Sequence, residues 1–159
     1  MVTIRALPKA INELYLLGPT LFIRLCQGKA AALAWAEEVT EPACVISWLT
    51  VAIARSVISG TQFSDAEREG WFDALDNVIA RMKAGGATFI DVNEDILEKY
   101  HLYRLHQPLD INVRGKPEPA GQEVRLLIAT AKAMSYVYVD FESPYLHQMR
   151  SLGLKVQIL

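Results

Sequence analysis

Val45-Ile46-Ser47-Trp48-Leu49-Thr50-Val51-Ala52-Ile53 changes character in its middle. The run Ala43–Ser47 is short, β-branched and apolar, as a strand buried on both faces should be. A helix is expected from about Trp48 to Ser59, ending at Gly60. The same alternation continues on either side. Upstream, Glu13–Leu17 reads as a buried strand that stops at Gly18-Pro19. Thr20 then opens a helical turn through Phe22, Ile23 and Leu25, which Gln27-Gly28 breaks. Lys29–Val39 follows as a helix with Leu33, Ala36 and Val39 on one face.

Downstream, Ser64-Asp65-Ala66-Glu67 has capping-box spacing. Behind it Phe72, Leu75, Val78, Ile79 and Met82 recur at helical intervals until Gly85-Gly86. Thr88–Val92 reads as a third strand. Asn93 caps a helix to about Leu105 whose first turn carries Glu94 and Asp95, where negative charge is favoured. Gly115–Gly121 reads as a loop, Gln122–Met134 as a helix, and Tyr136–Val139 as a strand. Pro144–Leu152 reads as a short helix and Leu154–Ile158 as the last strand. Strands alternating with helices predict an α/β domain of three layers: a mostly parallel sheet of about five strands with helices on both faces. One domain over residues 1–159, with 1–12 as a lead-in segment, suits the length. In such sheets ligands sit beyond the carboxyl ends of the strands.

Composition excludes several classes. Hydrophobic residues make up 52% and charged residues 21%, which is globular and not disordered. The net charge of −2 and pI near 5.9 give no global pull toward nucleic acid. Cys26 and Cys44 lack CxxC or His spacing, so zinc is not expected, and reduced thiols point to the cytoplasm. Residues 1–12 show no continuous apolar leader, and no apolar run reaches the length of a membrane span.

Leu16-Leu17-Gly18-Pro19-Thr20-Leu21-Phe22-Ile23-Arg24-Leu25 resembles the opening strand and turn of PIN-domain proteins. Val45 to Ile53 resembles their second strand and following helix. Leu126-Leu127-Ile128-Ala129-Thr130-Ala131 resembles their apolar helix. Tyr136-Val137-Tyr138-Val139-Asp140-Phe141, followed by Gly153-Leu154-Lys155-Val156, resembles the closing strand, loop and strand. The order and spacing, more than any one motif, carry the resemblance from Glu13 to Leu159. The VapC-type toxins of bacterial toxin–antitoxin pairs are the nearest subgroup.

The resemblance implies hydrolysis of RNA phosphodiesters by a carboxylate cluster holding Mg²⁺ or Mn²⁺. Hard divalent cations need several oxygen ligands, and the metal activates water and stabilises the leaving oxygen. The four acid positions fall on Gly18, on Ile53, on Arg125 (or Val124 with a one-residue shift), and on Asp140. Only the last is an acid. Glu123, the nearest substitute, lies about 200° round the helix from position 125. A cation at Arg125 would repel a metal. The expectation is therefore a degenerate PIN-like domain without metal-dependent nuclease activity and without a cofactor, acting through protein or RNA binding. The alternative is a divergent Mg²⁺- or Mn²⁺-dependent endoribonuclease in which Asp140, Glu123 and a displaced acid such as Asp91 or Glu94 rebuild the site. As partners, the resemblance implies a second copy and an antitoxin-like protein, with RNA as a further ligand.

Several residues carry two readings. Asp140 is a remnant ligand or an ordinary acid at a strand end. Arg125 binds an anion in the vacated cleft or forms an ion pair with Asp140 or Glu123, the second preferred. Thr20, Ser47 and Thr50 contact a substrate phosphate or cap their helices. Asp91, Glu94, Asp95 and Glu98 read best as dipole-complementing surface acids. Arg104, Arg114 and Lys116, near Tyr100 and Tyr103, form the best basic and aromatic cluster.

Overall fold

The computed structural model describes residues 13–60, 62–105, 110–113, 116–119, 121–143 and 145–159, with the backbone alone for 110–119. The lead-in segment, His106, Arg114 and Pro144 lie outside the described residues. The strands are β1 Tyr15–Leu17, β2 Cys44–Ser47, β3 Thr88–Ile90, β6 Val137–Asp140 and β7 Val156–Ile158, plus the pair β4 Asp110–Val113 and β5 Lys116–Pro119. The helices are α1 Pro19–Cys26, α2 Ala30–Val39, α3 Trp48–Ile58, α4 Asp65–Ala84, α5 Glu94–Leu102, α6 Gln122–Met134 and α7 Leu146–Ser151.

Five strands form one parallel sheet in the order β3-β2-β1-β6-β7. Neighbouring residues along each strand point to opposite faces. Leu17, Ile46 and Val139 accordingly join a core with α1, α2, α3 and α4. Leu16, Val45 and Tyr138 join a second core with α5, α6 and α7. All of β2 and β6 is buried, the two-sided burial that their unbroken apolar runs call for.

Helix ends follow the chemistry of their caps. Ser64 Oγ accepts from the Glu67 N–H at 3.2 Å, and Glu67 Oε2 accepts from the Ser64 N–H at 3.0 Å. That pair starts α4. At its far end Gly86 takes φ +99°, and the Ala87 N–H reaches the Met82 carbonyl at 2.9 Å. A residue with a side chain would be strained there.

Two expectations are corrected. The stretch read as a loop at Gly115–Gly121 contains β5, which pairs antiparallel with β4; the Pro and Gly content hid the pairing, since only a two-stranded ribbon with free edges tolerates Pro117 and Pro119. The helix expected to run to Leu105 ends at Leu102. Arg104 turns to φ +55°, and the Leu105 N–H closes onto the Tyr100 carbonyl at 2.8 Å, which folds Leu105 into the core. Strand ends differ by a residue or two; Asp140, placed just after a strand, is the last residue of β6.

Leu16 sits in the middle of the central strand with no exposure, whereas Leu33 is 38% exposed. Leu16→Ala should cost about 2–5 kcal/mol of stability by loss of buried methyls and the cavity left behind. Leu33→Ala should stay within about 0.5 kcal/mol. Urea unfolding of both variants checks the contrast.

Candidate functional site

The carboxyl ends of β1, β2 and β6 bring Gly18, Ser47 and Asp140 to one end of the sheet. Gly18 is the N-cap of α1 and has no side chain with which to cap it. The first amides of a helix need acceptors, and an ordinary cap residue supplies one. Here Asp140, 119 residues from Leu21, does so: its Oδ1 accepts from the Leu21 N–H at 2.7 Å and from its neighbour Phe141 N–H at 2.8 Å. A carboxylate there also meets the positive end of the α1 dipole.

The space Asp140 occupies is the space a side chain at position 18 would need. A Cβ built on Gly18 would lie 2.2 Å from Asp140 Oδ2 and 2.5 Å from its Cγ. A side chain at position 18 would therefore require the Asp140 side chain to shift. Asp140 is fully buried, and its Oδ2 has no hydrogen-bond partner. Burial pushes its carboxyl up from 3.8 to about 6, against the amides of Phe141, Leu21 and, less directly, Thr20, and against the charge of Arg24. Arg24 also lies over the Phe141 ring at 4.0 Å.

The other expected site residues fall as follows. Ser47 is buried, and its Oγ accepts from the Leu49 N–H at 3.2 Å, capping α3. Thr50 is fully buried and donates to the Leu17 carbonyl at 3.4 Å, tying α3 to β1. Both hydroxyls are thus committed to backbone groups. Thr20 is half-buried in the first turn of α1. Ile53 packs its half-buried side chain against the core beneath α5 and α6. Glu123 is exposed in the first turn of α6.

Arg125 is a correction. It forms no ion pair with Asp140 or Glu123; its Nη1 donates to the Leu105 carbonyl at 2.9 Å, and its Nε is buried without a partner. The reason is the early end of α5, which turns the Leu105 carbonyl toward α6. The cation that does bear on Asp140 is Arg24, which sequence reasoning missed because only the folded turn of α1 brings it near β6.

Among the described residues no three His, Cys, Asp or Glu side chains come together in a way that could hold a metal ion. Asp91, Glu94, Asp95 and Glu98 are exposed on or just before α5. Cys26 and Cys44 are free thiols that burial pushes up to about 11 and about 12, so neither is a ready nucleophile at neutral pH. No helix among the described residues is long and apolar enough to cross a membrane.

With this geometry in view, solved structures with the same architecture can be compared. The structure of VapBC2 from Rickettsia felis bound to a DNA fragment from their promoter matches with a TM-score of 0.68 at 17% identity, over 92% of this chain and 98% of that one. The fold is that of a VapC-like PIN domain. FitAcB from Neisseria gonorrhoeae matches with a TM-score of 0.66 at 15% identity, over 90% and 96% of the two chains. VapBC-1 from nontypeable Haemophilus influenzae matches with a TM-score of 0.62 at 19% identity, over 91% and 97%. No family model and no curated protein matches the chain. At these identities the likeness carries the PIN fold and not its chemistry, which must be argued from the residues present.

Burial of Asp140 makes a pH prediction. Its folded carboxyl titrates above the unfolded one, so the unfolded chain loses its proton first. Stability should therefore fall as pH rises from about 4 to about 6, by roughly 3 kcal/mol in total, and stay lower above that. Asp140→Asn keeps an acceptor for both amides and should flatten this dependence. Asp140→Ala should flatten it too but lose about 1–2 kcal/mol by uncapping α1. Urea midpoints of the three proteins from pH 4 to pH 7 test both statements.

Proposed function

We propose that this chain is a PIN-like domain without metal-dependent nuclease activity, which acts by holding a protein partner. The observation that carries the reading is the Asp140 carboxylate lying in the place of a residue-18 side chain and capping α1. A Mg²⁺ or Mn²⁺ centre needs several oxygen ligands open to one point. The residues here do not fit one. Gly18, Ile53 and Arg125 offer no carboxylate, and Asp140 has one oxygen committed to two amides and the other enclosed.

The partner half of the reading has separate support. The similar solved structures are of VapBC and FitAB pairs, so an antitoxin-like protein is the natural class of partner. A groove of about 360 Å³ runs between α1, α2 and α4. Leu25, Leu33, Ala36, Val78 and Met82 line it, with Arg81 beside them. An apolar groove with a charged rim suits an amphipathic segment of a protein better than a phosphodiester backbone.

Incubated with single-stranded RNA and Mn²⁺, the full chain should cleave no faster than its Asp140→Ala variant. Cleavage that depends on Mn²⁺ and disappears in Asp140→Asn would overturn the reading and restore a divergent ribonuclease. For the partner, a photo-crosslinking residue at position 33 should yield a discrete protein adduct in the producing cells. The same probe at position 95, in the first turn of α5 on the other side of the sheet, should not. Equal adducts at both positions would remove the groove from the proposal.

A further inference from the structure

A second surface lies on the other layer, at the amino ends of the strands and so at the opposite end of the sheet from Asp140. Helices α5 and α6 both end there, and the turn after α7 enters β7 there. Leu14, Leu102, Tyr103, Met134 and Leu152 are five of the eight exposed large hydrophobics among the described residues, and all five belong to this end. Leu102 is 62% exposed, more than any other of the eight. Of these, Tyr103 and Leu152 share one depression.

Cations surround the same place. Lys132 Nζ sits 5.0 Å from the centre of the Tyr103 ring, and Lys99 Nζ sits 5.9 Å from it. Arg104 follows directly, exposed in its left-handed turn. None of these three forms an ion pair among the described residues. Lysines in the last turns of α5 and α6 complement the helix dipoles, which explains their place along each helix. It does not explain why two of them converge on one half-exposed tyrosine. Two like charges sharing one ring repel each other, and an anion beside both removes that cost.

Two shallow depressions give the surface its shape. One is lined by Tyr103, Leu105, Ile128, Lys132, Leu152 and Leu154. The other, about 190 Å³, shares Lys132 and Leu154 with it and continues to Tyr136 and Lys155. Lys155 meets Glu13 at 3.5 Å, an exposed contact worth little against a better partner. The first is a dimple of about 10 Å³, and the two adjoin at Lys132 and Leu154, so together they make one shallow trough with Leu152 and Leu154 beside Lys132 and Lys155.

We propose that this trough binds an acidic, amphipathic segment of a protein partner, its carboxylates on Lys99 and Lys132 and its apolar side chains against Tyr103, Leu152 and Leu154. Nucleic acid would also meet the lysines. It would leave Leu102 and Leu152 unused, and among the described residues the trough offers one exposed aromatic ring, Tyr103, on which a base could stack. The net charge of −2 likewise gives a polyphosphate no wider field to follow.

The test uses the full chain and three fluorescein-labelled probes of equal length: a peptide of alternating leucine and glutamate, its glutamine counterpart, and a single-stranded oligoribonucleotide. Fluorescence anisotropy should show the glutamate peptide binding at least tenfold tighter than the glutamine one. Lys132→Glu should weaken it at least tenfold, and Lys132→Gln and Leu152→Ser by several-fold each, with circular dichroism unchanged. Binding that ignores both Lys132 variants would overturn the proposal. So would an oligoribonucleotide that binds tighter than the glutamate peptide and loses that binding in Lys132→Glu, which would make the trough a nucleic-acid face. Glu69→Gln, on the exposed side of α4 in the other layer, should leave the peptide's affinity unchanged; a loss there as large as that of Lys132→Gln would overturn the proposal, because the binding would then follow overall charge and not the trough.

Discussion

The Asp140 carboxylate reaches from the end of β6 into the first turn of α1, and most of what distinguishes this end of the molecule depends on that contact. Pairing of β1 with β6 brings the two elements side by side, and the Gly18 N–H closes the register on the Val139 carbonyl at 2.8 Å. Past that point the chain must turn at once into a helix, because Pro19 fixes the backbone for a first helical position. The turn leaves amides without acceptors, and a glycine at the cap cannot supply one. An acid from the neighbouring strand is the available remedy, and it reaches them only because position 18 is bare.

This exchange couples what would otherwise be two independent losses. Glycine at position 18 offers no side-chain acceptor to the first turn of α1. It also leaves open the volume that the Asp140 carboxyl occupies, so that carboxyl is held within the structure by the amides of Leu21 and Phe141. Burial makes its charge unfavourable, and two short amide bonds offset part of that cost. The fully buried Thr50, bonded to the Leu17 carbonyl, holds α3 against the same turn from the other side. The end of the sheet at which α/β proteins commonly bind ligands is here packed with its own backbone contacts.

The fold was legible because its signals are local and repeated. Short apolar runs such as Val45–Ser47 and Tyr136–Val139, each followed or preceded by a helical pattern, required a parallel sheet covered on both faces. The β4–β5 ribbon was not legible, because Pro117 and Pro119 are poor strand residues everywhere except where strand edges are free. For the site, the sequence shows which residues stand at the four positions that the resemblance implies, Gly18, Ile53, Arg125 or Val124, and Asp140, since identity at a position is a local fact. It did not show what replaced them. The cap formed by Asp140, the approach of Arg24 and the turn of Arg125 to the Leu105 carbonyl all join residues far apart in the chain, and no spacing rule encodes them.

A domain whose strand ends are packed with their own backbone contacts can still use its outside. The two layers of this sheet present different surfaces, because each covers its own core: α1, α2 and α4 enclose an apolar groove, while the ends of α5 and α6 set lysines around Tyr103. Neither surface calls on Asp140 or Gly18. Selection on binding would therefore leave the cap free to be optimised for stability, and selection on the cap would leave the binding surfaces untouched. The separation is physical: the cap lies at the carboxyl ends of the strands and the lysine-lined trough at their amino ends, with the full length of the sheet between them. A metal centre of the kind that the resemblance implies would need carboxylates at positions 18, 53 and 125 together with the release of Asp140, whereas the proposed binding surface draws on exposed residues such as Leu102 and on Lys132.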